Sequence, residues 1–418
     1  MRGVIWLLLL FGVAVVAATT LGRNDGLVTV YWGGWRTDLS LNLFVLLVLG
    51  ACVLLVSAVQ AFGALVSLPR QAAEWRALRR ERAAQLALRE AMAEYFAGRY
   101  GRARKAAEKA LYLQRETAAL EDDPDFRVLG QLLAAGSLHK LQDRARRETL
   151  LRELFKGARA ARRNSPPRPA EEGARLLAAE WALDDREPAR ALEMLSALPP
   201  GAARRTQALR LRLQAARLAR EPQEALQTAR MLAKHQAFSP VVAQSLLRSL
   251  AFDVLEAAHD VQQLRRLWNQ LDAADRRDAH VAARASARAV QLGATEDARL
   301  WLLPFWDRLA ELPADERSQV ALALRGATAG MAADWLPRLE AAARAFGQDA
   351  AVVAAVGEAF AEHRLWGKAR GLLEEAAVAP SLPAGVRRAA WRRLAALARE
   401  EEDETRAADC ERRAAGLD

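Results

Sequence analysis

Cysteine is almost missing from this 418-residue chain: Cys52 and Cys410 are the whole complement. Two distant cysteines build neither a disulfide framework nor a CxxC zinc site. Aromatic residues are also scarce, at 6% against a hydrophobic content of 52%. The apolar fraction is therefore mostly Ala and Leu, which favour helix and argue against a β-rich body. Catalytic signatures are lacking too. No glycine-rich phosphate loop, GxSxG elbow or HExxH pair occurs, and the five histidines are scattered singly as His139, His235, His259, His280 and His363. These absences predict a protein that is not an enzyme and holds no metal or cofactor.

What is present begins with two uncharged runs. Gly3 to Gly22 holds 20 residues without a charge, and Leu39 to Leu68 is a second such run. A helix of about 20 residues spans a hydrocarbon core of about 30 Å. Two membrane spans, about 3–22 and 39–68, are therefore predicted, with a cleaved signal peptide as the competing reading of the first. The net charge of +10 is concentrated just beyond them. Residues 67–168 carry 23 Lys/Arg against 13 Asp/Glu, which is +10, while the first 66 carry 3 against 2 and the rest 35 against 36. Such placement points to a membrane surface and away from nucleic acid. Positive charge after the second run predicts both ends in the cytoplasm.

The connecting stretch "GLVTVYWGGWRTDLSLN" would then face the other side. Tyr31, Trp32 and Trp35 are residues that favour the headgroup layer. Alternation around Gly33-Gly34 fits a two-residue hairpin, although a loop with anchoring aromatics fits the same residues. Beyond the second run, "LPRQAAEWRALRRERAAQLALRE" reads as a basic juxtamembrane helix after Pro69. Its Arg70, Trp75, Arg76, Arg79 and Arg80 are candidates for lipid contact, against a solvated helix face.

The remainder reads as helices of roughly 10–18 residues, with no strand patterns. Self-similarity shows in "FAGRYGRARKAAEKAL", where Gly98 and Tyr100 are followed by Ala103, Ala107 and Ala110. The same phase places Ala191, Ala225, Ala298 and Ala369, with weaker copies near Ala145, Leu264 and Ala407. The spacing 225 − 191 is 34 and 298 − 264 is 34, the tetratricopeptide period. The predicted fold class is all-α: two N-terminal transmembrane helices followed by a degenerate tetratricopeptide-like solenoid of helical pairs. An irregular bundle is the alternative. Prolines in "RRNSPPRPAEEG" forbid helix at Arg162 to Gly173, which reads either as a separator between a membrane-proximal part and the main solenoid or as a long turn between repeats. The expected divisions are thus 1–69, a membrane anchor; 70–164, a basic helix with the first repeats; and 170–418, the main solenoid.

First helices of such pairs line a groove. Arg210, Gln214 and Arg217 share one helical face, as do His280, Arg284 and Arg288. They form a candidate basic stripe for carboxylates, weighed against a solvated face.

The head of the chain, "RGVIWLLLLFGVAVVAATTLGRNDGLVTVYWGGWRTDLSLNLFVLLVLG" with its "LPR" exit and "EYFAGRYGRARKAAEKAL", resembles the HemY family of proteobacterial inner-membrane tetratricopeptide proteins. The resemblance covers about the first 115 residues. It implies a multi-pass inner-membrane protein, with its solenoid in the cytoplasm, associated with late haem and porphyrin biosynthesis. It implies no defined reaction. Partners would be the membrane and haem-pathway enzymes, with haem or porphyrin as a conceivable ligand. A tetratricopeptide factor for envelope lipid or lipopolysaccharide synthesis is the alternative.

Overall fold

The computed structural model describes residues 26–121, 123–161 and 168–417, without the side chains of 63–72, 121 and 157–161. The expected first span, Gly3 to Gly22, and residues Arg162 to Pro167 of the proline-rich break lie outside the described residues. From Pro169 the expected break is instead helical, because a first-turn proline lacks only an N–H that has no partner within the helix.

Strand β1 (Leu27–Trp32) pairs antiparallel with β2 (Trp35–Ser40), in a register that sets Trp32 against Trp35. Gly33 and Gly34 have φ of 54° and 87°. Two successive positive φ values are what a two-residue hairpin matched to strand twist requires. The stretch is a hairpin, so the loop alternative falls. Thr29 Oγ1 donates to Asp38 across the ladder at 2.7 Å, and Leu41 N–H donates to the Gly26 carbonyl at its base at 2.9 Å.

The hairpin feeds directly into α1 (Leu41–Phe96), a helix of 56 residues. Ser40 caps it, its hydroxyl accepting from Leu43 N–H. The apolar helix thus begins at Leu41, Leu39 and Ser40 being strand. It also continues through Pro69, where the sequence suggested a new element. Among the described residues one segment, Leu41–Phe62, is long and apolar enough to cross a membrane, with 22 residues and mean hydropathy 2.7. None of that segment is buried within the protein.

The chain divides into two compact units, one ending at Leu154 and the other beginning at Phe155. In the first, the far end of α1 packs on α2 (Tyr100–Arg115), and α2 packs on α3 (Pro124–Lys140). Ala84, Ala87 and Ala91 of α1 and Ala106, Ala107 and Ala110 of α2 are buried. Small side chains let the helix axes approach closely. The division falls within α4 (Arg144–Ala161).

In the second unit, helices follow one another in pairs: α5 (Pro169–Asp184) with α6 (Pro188–Ser196), α7 (Thr206–Leu218) with α8 (Pro222–Lys234), and α9 (Pro240–Glu256) with α10 (Val261–Gln270). They continue as α11 (Ala279–Gln291) with α12 (Thr295–Trp306), α13 (Ala314–Gly326) and α14 (Leu336–Ala345), α15 (Ala350–Glu362) with α16 (Trp366–Val378), and α17 (Ala384–Glu400) with α18 (Glu404–Ala415). First helices also stack on first helices, α9 on α11, α11 on α13 and α13 on α15. One apolar core runs from Leu209 to Ala414. The body is an all-α, solenoid-like stack, as expected.

The turns explain the repeat phase. Gly98, Gln142, Arg186, Arg220, Gly293, Arg364 and Glu402 all have φ between 57° and 82°. After each, the next N–H reaches a carbonyl five residues back, as in Glu187 to Ala182 at 2.8 Å and Asp403 to Ala398 at 2.8 Å. This is the Schellman way of ending a helix. Five residues beyond each turn lies a buried side chain: Ala103, Arg147, Ala191, Ala225, Ala298, Ala369 and Ala407. The weak copy expected near Ala145 therefore falls two residues on, at Arg147; Ala145 is exposed.

Ion pairs tie one pair to the next. Asp278 and Asp349 cap α11 and α15, each accepting two backbone N–H groups. Arg248, from the first helix of the preceding pair, holds Asp278 at 2.7 Å, and Arg317 holds Asp349 at 2.8 Å.

Candidate functional site

Two places could meet a partner: the membrane-proximal elements and the faces of the first helices. The hairpin projects Tyr31, Trp32 and Trp35 outward at 73%, 83% and 80% exposure. No core among the described residues receives them. On α1, Trp75, Arg76, Arg79 and Arg80 are exposed, and the Arg79 guanidinium lies 5.2 Å from the Trp75 ring centroid. That stacking suits a cation on an aromatic face. The side chain of Arg70 lies outside the described residues.

In the second unit, Arg210, Gln214 and Arg217 are exposed along α7. His280, Arg284 and Arg288 lie on α11. The two rows do not adjoin, because α9 intervenes and brings acid. Arg217 lines a cleft of about 490 Å³ with Arg220, Asp253 and Glu256. Glu256 in turn pairs with Arg284 at 2.9 Å, whose guanidinium sits over the Phe252 ring at 6.0 Å. Arg288 donates to the Ala258 carbonyl at 2.6 Å and to Gln291 at 2.9 Å, so it closes the end of α9. His280 stands 3.8 Å from both Asp278 and Asp315. Arg284 and Arg288 of the α11 row are thus engaged inside the protein, while Arg210 and Arg217 have no ion pair among the described residues. "FDVLE" placed Asp253 and Glu256 three apart on one helical face, and that spacing is the signal that could have revealed the acid.

Two further clusters had no sequence signal. Arg147, 3% exposed, donates to His139 Nδ1 at 2.7 Å and to Glu148 at 2.9 Å. On α15, Glu358 meets Arg393 at 3.4 Å, and Glu362 accepts from the same guanidinium at 3.4 Å. Burial pushes the Glu358 carboxyl above its ordinary value, against the pull of Arg393 and Arg325. Glu362 also accepts from Gly330 N–H at 3.1 Å.

The exposed aromatic hairpin, the apolar helix leaving it and the first helical pair together fill residues 26–142, and this stretch matches the family described as HemY protein N-terminus. No curated protein matches the chain. Among solved structures, a similar chain occurs in "Structure of Naa15/Naa10 bound to HypK-THB", at 15% identity, with a TM-score of 0.25 over 76% of this chain. This chain covers 56% of that one. So loose a likeness bears on neither fold nor function. Beyond residue 142 the HemY match gives way to the helical stack alone.

Proposed function

We propose that this HemY-family chain is a non-enzymatic scaffold of late haem and porphyrin biosynthesis, held at the cytoplasmic face of a bacterial inner membrane. Two spans, Gly3–Gly22 and the apolar start of α1, anchor it. Tetratricopeptide-like pairs then offer their first helices to haem-pathway enzymes. The observation that carries the reading is α1 itself. One helix is both the apolar segment and the first element of the membrane-proximal unit, so α2 and α3 pack directly on a continuation of the anchor. Confinement beside the bilayer raises the effective concentration of partners that handle poorly soluble pigments. The haem association comes from the family resemblance and the match over residues 26–142.

Affinity capture of the full chain from detergent-solubilised membranes tests the proposal. Recovery of enzymes acting on porphyrins supports it. Recovery of lipid or lipopolysaccharide enzymes in their place sinks it and favours the envelope-factor alternative.

A further inference from the structure

Beyond the anchor, one face of α1 is left bare. Trp75, Leu78, Leu86 and Phe96 are 60%, 52%, 62% and 84% exposed. Arg82 and Arg89 lie between them, both exposed and without an ion-pair partner among the described residues. In order, these six residues are 3, 4, 4, 3 and 7 apart, which places them on one side of a helix. The opposite side, with Ala84, Ala87 and Ala91, is buried against α2. No Asp or Glu falls on the bare face.

We propose that this face of α1 docks an amphipathic helix of another protein, apolar along its seam and acidic beside it. The choice of occupant follows from geometry and charge, and rests on the reading that α1 crosses the membrane. A headgroup layer is about 5–8 Å deep on each side. Leu86 is 18 residues beyond Leu68 and Phe96 is 28 beyond, or about 27 Å and 42 Å along an unbroken helix. The layer ends short of Trp75, about 10 Å beyond Leu68, and Leu86 and Phe96 stand well clear of it. A second copy is disfavoured as well. Two copies held parallel by their spans would set Arg82 against Arg82 and Arg89 against Arg89, and like charges so placed repel. An acidic helix instead pairs with both arginines while its apolar residues cover Leu78, Leu86 and Phe96.

The test uses the full chain in detergent and two synthetic helical peptides that share a leucine seam and differ only in flanking Glu or Lys. Anisotropy of the labelled peptides reads binding. The Glu peptide is expected to bind at least about tenfold tighter than the Lys peptide, the step that 1.4 kcal/mol of binding free energy represents. Arg82→Glu with Arg89→Glu reverses that order, and Leu86→Ser with Phe96→Ser weakens both peptides. These side chains are exposed, so the variants keep the melting curve of the unaltered chain. Equal binding of the two peptides, or a preference untouched by charge reversal, overturns the proposal. So does a photo-crosslinker at Leu86 in cells that joins only lipid or a second copy of this chain. Sedimentation with carbonate-washed membranes reports separately on the span. A chain that fails to sediment refutes the membrane reading, whereas a sedimenting chain that shows no Glu preference refutes only the docking.

Discussion

Arg147 stands where six other turns place alanine, and the exchange changes what holds the site. A long side chain there has displaced contact between helices by hydrogen bonds to His139 and Glu148. Because His139 Nδ1 accepts, its ring carries the proton on Nε2. Arg147→Leu keeps bulk but strips both partners of a donor. It is expected to lower the stability of the first unit by about 2 kcal/mol or more, read by chemical denaturation. An unchanged midpoint would mean that the cluster is replaceable packing. The turn residues make a second residue-scale case. Glu402 adopts φ of 61° at a position that glycine occupies without strain. Glu402→Gly is expected to stabilise the chain by about 1 kcal/mol, the usual cost of a left-handed side-chain residue. A lower melting temperature contradicts that account. Glu358 supplies the pH-dependent case. Its carboxyl binds protons more readily in the folded chain than in the unfolded one, so its contribution favours folding at low pH and is lost as pH rises through the raised value. Glu358→Gln removes that dependence. The stability of the variant minus that of the unaltered chain should therefore grow between pH 4.5 and pH 7, and a flat difference would exclude Glu358 as the source. Only part of this was legible in the sequence. Gly98 and Gly293 announce their turns, but Arg186, Arg220 and Arg364 adopt the same backbone under tertiary constraint and give no sign of it.

At the scale of the element, α1 joins the apolar segment to the first helices that pack on it. Apolarity over Leu41–Phe62 and the buried alanines of its far end were both readable from pattern. Their continuity was not, because Pro69 lacks the N–H that a helix interior uses and ordinarily marks a boundary. Ser40 capping and the long run of Ala, Leu, Arg and Glu on either side outweigh that one missing bond. Spin labels at Val59 and Gln85, in a chain whose Cys52 and Cys410 are replaced, test this directly. They are 26 residues apart, so an unbroken helix sets their backbones about 39 Å apart with a narrow distribution. Insertion of four glycines after Ala73 is expected to broaden it. A broad distribution before insertion would show a joint at Pro69 and remove the continuity of α1 on which the scaffold reading leans. The hairpin at the other end was half legible: Gly33-Gly34 and the alternation fitted it, but nothing in the sequence excluded a loop.

At the scale of the whole chain, stacking sets most first helices against one another, so charge on the exposed faces is settled pair by pair. Periodicity named Arg210, Gln214, Arg217, His280, Arg284 and Arg288, because helical faces can be counted from one sequence. It could not tell which of them neighbouring helices would claim. Arg284 is claimed by Glu256 and Arg288 by the Ala258 carbonyl. Arg288→Gln therefore removes a helix-end contact and is expected to lower the melting temperature by a few degrees, for about 1 kcal/mol lost. Arg388, which lies away from these rows and donates to the Leu417 carbonyl at 3.0 Å, should behave likewise. Neither isolates ligand binding from folding. Arg210 and Arg217 do, since both are exposed and neither is paired among the described residues. If the α7 face recruits an anionic partner or a porphyrin, Arg210→Gln with Arg217→Gln leaves melting and membrane sedimentation unchanged. It weakens capture of haem-pathway enzymes and raises porphyrin intermediates in cells. Normal porphyrin levels in that variant, alongside accumulation when residues 170–418 are deleted, would make the α7 row a solvated face and leave the stack acting through another surface. Normal levels in the deletion as well would end the haem assignment.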